Sequence, residues 1–178
     1  VKVYEVGRDP ETRLGFMLMD YLPGGSLHDR LMERLWLKKG PFRVDEGVRL
    51  VRQIADDLVE AERHGVVHRD IKPHNILFGA DGLPRLSDLG IAKQAKLEKK
   101  ALTMTNMVVG TPAYMSPEQM LTAVADVRND IYSLGVIFGQ MALKWGAITR
   151  RCQLPLERRY QNVSDLTDAI KKRERRNS

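Results

Sequence analysis

The stretch from Ile131 to Leu143 is almost wholly apolar, broken only by Ser133 and Gln140. It is too short and too interrupted to cross a bilayer. It therefore reads as a buried core helix, from about Asn129 to Lys144. A chain of 178 residues is long enough to wrap one such core as a single domain. With 43% hydrophobic and 29% charged residues, the rest of the chain has an ordinary globular balance. The chain opens on Val1 inside an apolar stretch, which reads as a fragment boundary rather than a natural start.

Other segments carry clear periods. Val1 to Val6 has strand chemistry, Gly7 to Gly15 is a polar turn, and Phe16 to Leu22 is a second apolar run, so the two read as a hairpin. Pro23-Gly24-Gly25 breaks it. Ser26 caps a helix with Asp29 as its acidic partner three residues on. Leu27, Leu31 and Leu35 form one apolar stripe on that helix, and Gly40-Pro41 ends it. From about Asp45 to His64, Val48, Val51, Ile54, Ala55, Leu58 and Ala61 keep helical period. Short strands around Ile76 to Phe78 and Leu83 to Ser87 flank a Gly79-Ala80-Asp81-Gly82 turn. Gln94 to Met107 is a long polar loop, and Ser164 to Arg175 is a last amphipathic helix. The order of hairpin, helices, small hairpin, loop and helices is an α+β pattern dominated by helix.

The formal net charge of +6 favours acidic partners, but it is gathered in Lys93 to Lys100 and Lys171 to Arg176, which read as solvated segments. No aromatic stacking positions accompany the basic tail, so no nucleic acid is expected as a partner. The single cysteine, Cys152, excludes an internal disulfide framework, fits a reducing cytoplasm and reads as a buried core thiol. No membrane segment and no metal-ligating histidine pattern is read in the chain.

Chemistry concentrates in His68-Arg69-Asp70-Ile71-Lys72-Pro73-His74-Asn75. Arg69 and Lys72 both favour the charged form of Asp70. Lys72, two residues on, reaches the same side as Asp70 in an extended loop. Asn75 is a neutral oxygen ligand suited to Mg²⁺. Thirteen positions later, Asp88-Leu89-Gly90 ends the second short strand and supplies another carboxylate. Asn75 and Asp88 together make a hard-oxygen site for Mg²⁺ carried by a polyphosphate.

His68 to Asn75 resembles the catalytic loop of protein kinases, and Asp88-Leu89-Gly90 resembles their metal-binding triplet with Leu in place of Phe. Gly110 to Glu118 resembles the segment that closes the activation loop, with Ser-Pro-Glu for Ala-Pro-Glu. Asp130 to Gly135 resembles the start of the buried helix that anchors the lobe. In this order and spacing the four motifs make the chain similar to bacterial-type serine/threonine protein kinases. The resemblance implies a protein-kinase-like fold, with residues 1–22 as the end of the N-lobe and the hinge and 23–178 as a mainly helical C-lobe. It implies ATP and Mg²⁺ as cofactors. Partners would be ATP, a protein substrate bearing Ser or Thr, and a second kinase copy in a dimer.

The implied roles are specific. Asp70 orients the substrate hydroxyl and accepts its proton, Lys72 neutralises the transferred phosphoryl group, and Asn75 and Asp88 hold Mg²⁺. Lys72-Pro73 and Thr111 mark the Ser/Thr-directed branch. Met19 lies beside the adenine pocket, Asp20, Tyr21 and Leu22 form the hinge, and Leu77 packs beneath the ring. Thr103 and Thr105 are phosphorylation positions, with Arg69 as the receiving cation. His68 is a packed scaffold residue. Glu118 pairs with an arginine near the C-terminus, Arg159 or else Arg158.

The sequence also departs from the pattern. No glycine-rich phosphate loop and no strand lysine is present, so this chain alone is expected to be inactive. Few residues separate the buried helix from the Arg159 region, so the docking helix that usually follows is reduced to a short helix from Trp145 to Cys152. The competing reading is a truncated pseudokinase acting as a protein-binding module.

Overall fold

The computed structural model describes residues 1–88, 112–122, 124, 126–141 and 146–175. The first hairpin pairs β1 (Val3–Arg8) with β2 (Gly15–Met19) antiparallel. Its turn is closed by Asp9, whose carboxylate accepts the backbone N–H groups of Glu11 and Thr12. Beyond Met19 the chain leaves the ladder, one turn earlier than the apolar run to Leu22 suggested. Gly24 then meets the second hairpin: its N–H donates to the Phe78 carbonyl at 2.9 Å, and Phe78 returns a bond to Gly25. A Cβ on Gly24 would stand 2.7 Å from Phe78 Cβ, so this approach of two backbones needs glycine.

Helix α1 (Leu27–Trp36) starts where the sequence places it. Ser26 accepts the Asp29 N–H, and the Asp29 carboxylate accepts the Ser26 N–H, a reciprocal cap. The helix ends at Leu37, before Gly40-Pro41. Its apolar stripe is also shorter than its spacing suggests. Leu27 is buried and Leu31 half-buried, but Leu35 is 70% exposed. The first turns of α1 pack on the Pro73–Asn75 turn and β3, while near its end Arg34 reaches Glu46 of the next helix and the Phe42 ring and leaves Leu35 in solvent.

The core is built on α2 (Val44–Arg63) and α4 (Val127–Met141). Val48, Val51, Ile54, Ala55 and Leu58 on α2 are all buried, as their period requires. On α4, Ile131, Leu134, Ile137, Phe138 and Met141 are closed to solvent. The second hairpin, β3 (Ile76–Phe78) with β4 (Pro84–Leu86), packs on α2. Between α2 and α4 comes the short helix α3 (Pro117–Leu121), which no period in five residues could announce. After α4 come α5 (Gly146–Cys152) and α6 (Val163–Arg175). The fold is thus α+β and dominated by helix. Among the described residues no helix is long and apolar enough to cross a membrane.

Helices α4 and α5 touch at Gly135. A Cβ there would lie 2.2 Å from Cys152 Cβ. Cys152 is fully buried, and burial pushes its thiol up to about 12. Gly135→Ala is expected to lower stability by about 1–3 kcal/mol through overpacking. Helix propensity alone predicts the opposite sign, a gain of about 1 kcal/mol. The direction of the urea midpoint shift decides which effect wins.

Candidate active site

The loop from His68 to Asn75 hangs between α2 and β3, fixed from below by buried Ile71 and Pro73. Its centre is Asp70. Lys72 Nζ lies 3.0 Å from Asp70 Oδ2. Asn75 Nδ2 donates both to the Asp70 carbonyl at 2.8 Å and to Asp70 Oδ2 at 3.1 Å. The amide nitrogen of Asn75 is thus turned to Asp70, and its Oδ1 is the acceptor atom.

The backbone beneath is held by buried side chains. The Asp70 N–H donates to His68 Nδ1 at 3.3 Å, and His68 Nε2 lies 2.9 Å from the Ser87 carbonyl. This pattern assigns the ring proton to Nε2. Burial holds the His68 imidazole below its ordinary value, so the buried ring is neutral. Asp130, near the N-terminal end of α4, accepts the His68 N–H at 2.7 Å and the Arg69 N–H at 2.8 Å. Burial pushes the Asp130 carboxyl up to about 7, against these two donors, which favour its charged form. The bonds hold Arg69 in the left-handed region at φ 64°, uncommon for a residue with a Cβ.

Asp88 enters through the second hairpin. The Ser87 N–H donates to the Asn75 carbonyl at 2.9 Å, which puts Asp88 one residue beyond a backbone pair with Asn75. Asp88 is exposed and left-handed, at φ 57°. Among the described residues no three His, Cys, Asp or Glu stand together as a metal cage. A divalent ion here would take one or two protein oxygens and bring the rest of its ligands with it. That donor set suits Mg²⁺ bound to a polyphosphate.

The hinge candidates run from the end of β2 towards the Gly24–Ser26 stretch that pairs with β3. Asp20 turns its carboxylate back to β1, accepting the Lys2 N–H at 3.1 Å and the Tyr4 hydroxyl at 2.6 Å. Tyr21 is 88% exposed, while Met19, Leu22 and Leu77 are half-buried. Leu77 bridges to Ser26, so the Gly24–Ser26 stretch just after the hinge candidates shares one short ladder with β3. His74 stacks on His28 of α1 at 3.9 Å between ring centroids, a contact the sequence did not signal.

Glu118 pairs with Arg159, not Arg158. Arg159 is 2% exposed and Arg158 is on the surface. The Arg159 guanidinium also donates to the carbonyls of Leu154 and Arg128. Beyond the Ser-Pro-Glu motif, sequence reasoning did not single out Gln119, Asn129 or Ser133, which with Ser116 tie α3 and the turn before it to α4 and to the loop. A serine before a helix could be suspected as a cap, but a glutamine inside one shows nothing of what it reaches. Thr103, Thr105 and Thr111, with Leu89 and Gly90, lie outside the described residues.

The family described as "Protein kinase domain" matches residues 1–172. Serine/threonine-protein kinase PknL of Mycobacterium tuberculosis is 39% identical over 137 residues, covering 77% of this chain and 32% of that protein. A probable serine/threonine-protein kinase of Clostridium acetobutylicum is 34% identical over 165 residues, or 93% of the chain and 23% of that protein. Serine/threonine-protein kinase PrkC of Bacillus subtilis is 33% identical over 141 residues, or 79% and 20%. The chain spans less than a third of the length of these relatives.

Proposed function

Since the chain belongs to the protein kinase family, we propose that it is the catalytic lobe of an ATP-dependent protein serine/threonine kinase. In this reading residues 1–22 are the end of the N-lobe and the hinge, and 23–178 are the C-lobe. The observation that carries it is the contact of Lys72 and Asn75 with a single Asp70 carboxylate.

Asp70, with Lys72 and Asn75 on its Oδ2, orients the substrate hydroxyl and takes the proton as the oxygen attacks. Lys72, 3.0 Å away, brings positive charge to the transferred phosphoryl group. Asn75 Oδ1 and the Asp88 carboxylate would hold Mg²⁺, which when bound neutralises charge on the phosphate oxygens. Backbone groups of Asp20 to Leu22 meet the adenine edge, and Leu77 packs beneath it. Phosphorylation at Thr103 or Thr105 would present a dianion to Arg69. The sequence holds no glycine-rich phosphate loop and no strand lysine, so activity requires an N-terminal lobe that supplies them.

The test is phosphoryl transfer from γ-labelled ATP to a Ser- or Thr-containing protein, using the full-length protein and Mg²⁺. Label is expected on serine or threonine and absent from tyrosine. A full-length protein that binds neither Mg²⁺-ATP nor transfers label overturns the reading.

A further inference from the structure

Arg69 is the most constrained backbone unit of the loop. It stands in the left-handed region, and both of its backbone polar groups are met from outside the loop. Its N–H donates to Asp130 Oδ1 at 2.8 Å. Its carbonyl accepts from Gln119 Nε2 of α3 at 2.7 Å, across fifty residues of chain. That carbonyl belongs to the same peptide plane as the Asp70 N–H, which donates to His68 Nδ1. The Arg69–Asp70 peptide is thus gripped at its oxygen by Gln119 and at its nitrogen by His68.

Gln119 is itself anchored. Its N–H donates to Ser116 Oγ at 3.3 Å, and the Ser116 hydroxyl donates to Asn129 Oδ1 at 2.9 Å. Ser116 and Asn129 are both buried. Asn129 neighbours Asp130 on α4, which closes the circuit: Asp130, Arg69, Gln119, Ser116, Asn129. A ring of hydrogen bonds with the reacting loop on one side and α3 on the other leaves that peptide one orientation. The serine that stands where the family pattern has alanine is a member of this ring.

We propose that Gln119, supported by Ser116, is a positioning residue that sets the Arg69–Asp70 peptide plane and with it the direction of the Asp70 side chain. Without that hold ψ of Arg69 and φ of Asp70 are freed, and any change in the two that does not cancel swings the carboxylate. The same bond couples α3, which closes the segment carrying Thr103, Thr105 and Thr111, to the catalytic base. This rests on the kinase reading above, with Asp70 as the base.

The test uses Gln119→Met, which keeps length and removes the donor, and Gln119→Glu, which keeps shape but sets a carboxylate against the carbonyl. Both are measured in the full-length protein. The expected result is a fall in kcat of about tenfold or more with KM for ATP within about twofold. Amide hydrogen exchange at Arg69 and Asp70 should accelerate by a similar factor, with the urea midpoint unchanged. A purely structural role would shift the urea midpoint and leave the kcat of folded molecules intact. Wild-type kcat and wild-type exchange in Gln119→Met overturn the proposal. If wild-type protein transfers no phosphate, the kinase reading falls, and the exchange rates alone then decide whether Gln119 holds the peptide: acceleration upholds that anchoring and unchanged exchange overturns it.

Discussion

Arg159→Ala is expected to cost about 3–5 kcal/mol of stability, the range for removing one partner of a buried ion pair. A domain of this size has about 5–15 kcal/mol in total, so the variant should sit near its unfolding threshold at 37 °C. The size follows from what the guanidinium holds. It pairs with Glu118, and it donates to the Leu154 carbonyl at 2.9 Å and the Arg128 carbonyl at 2.8 Å. Alanine leaves these acceptors unpaired and removes the cation from a partly buried carboxylate. Three elements then lose a common anchor: α3, the start of α4 and the turn before α6.

The pH dependence gives a second readout. Burial by itself would raise the Glu118 carboxyl, but the hydrogen bond from Arg159 and its neighbours hold it below its ordinary value of 4.5. A carboxyl lowered on folding contributes stability that is present above its unfolded value. That contribution is lost as pH falls through the folded value. The difference in urea midpoint between wild type and Arg159→Ala should therefore be largest at neutral pH and shrink below about 4.5. A gap that is constant with pH would mean that the pair contributes packing rather than charge.

Asp70→Asn and Asp88→Asn should each lower turnover at least ~100-fold in the complete enzyme, equal to about 2.7 kcal/mol of barrier. Asn at position 70 keeps the volume but cannot accept the substrate proton, and it loses its attraction for Lys72, now 3.0 Å away. Asn at position 88 is a clean replacement for a different reason. Asp88 is left-handed and exposed, and asparagine tolerates that backbone region well. Stability of Asp88→Asn should stay within about 0.5 kcal/mol of wild type, as for an ordinary surface change. The loss would then belong to the chemistry. Phosphate transfer measured beside thermal unfolding separates the two, and near-wild-type turnover by either variant would remove that residue from the reaction.

Much of the local structure was legible in the chain itself. The Ser26–Asp29 cap, the buried face of α2 and the Gly79 to Gly82 turn all depend on neighbours within four residues, so spacing carries the information. The pairing of Glu118 with a downstream arginine came from the motif pattern, but the choice between Arg158 and Arg159 did not. Two adjacent cations differ only in which one faces inward, and that depends on how the turn before α6 lies on α4. Leu35 shows the opposite limit: its period matches Leu27 and Leu31, yet the contacts at the end of α1 run through Arg34 and leave it exposed. The short helix α3 and the reach of Gln119 to Arg69 were likewise invisible. So was the capture of the His68 and Arg69 amides by Asp130, 62 and 61 residues away. Hydrogen-bond partners within a turn follow from the order of residues, because the backbone brings them together at no further cost. Side chains that bond to a distant backbone make those bonds only once the helices have docked, and so which residues line the loop lies in the order of residues while the way the loop is held lies in the packing.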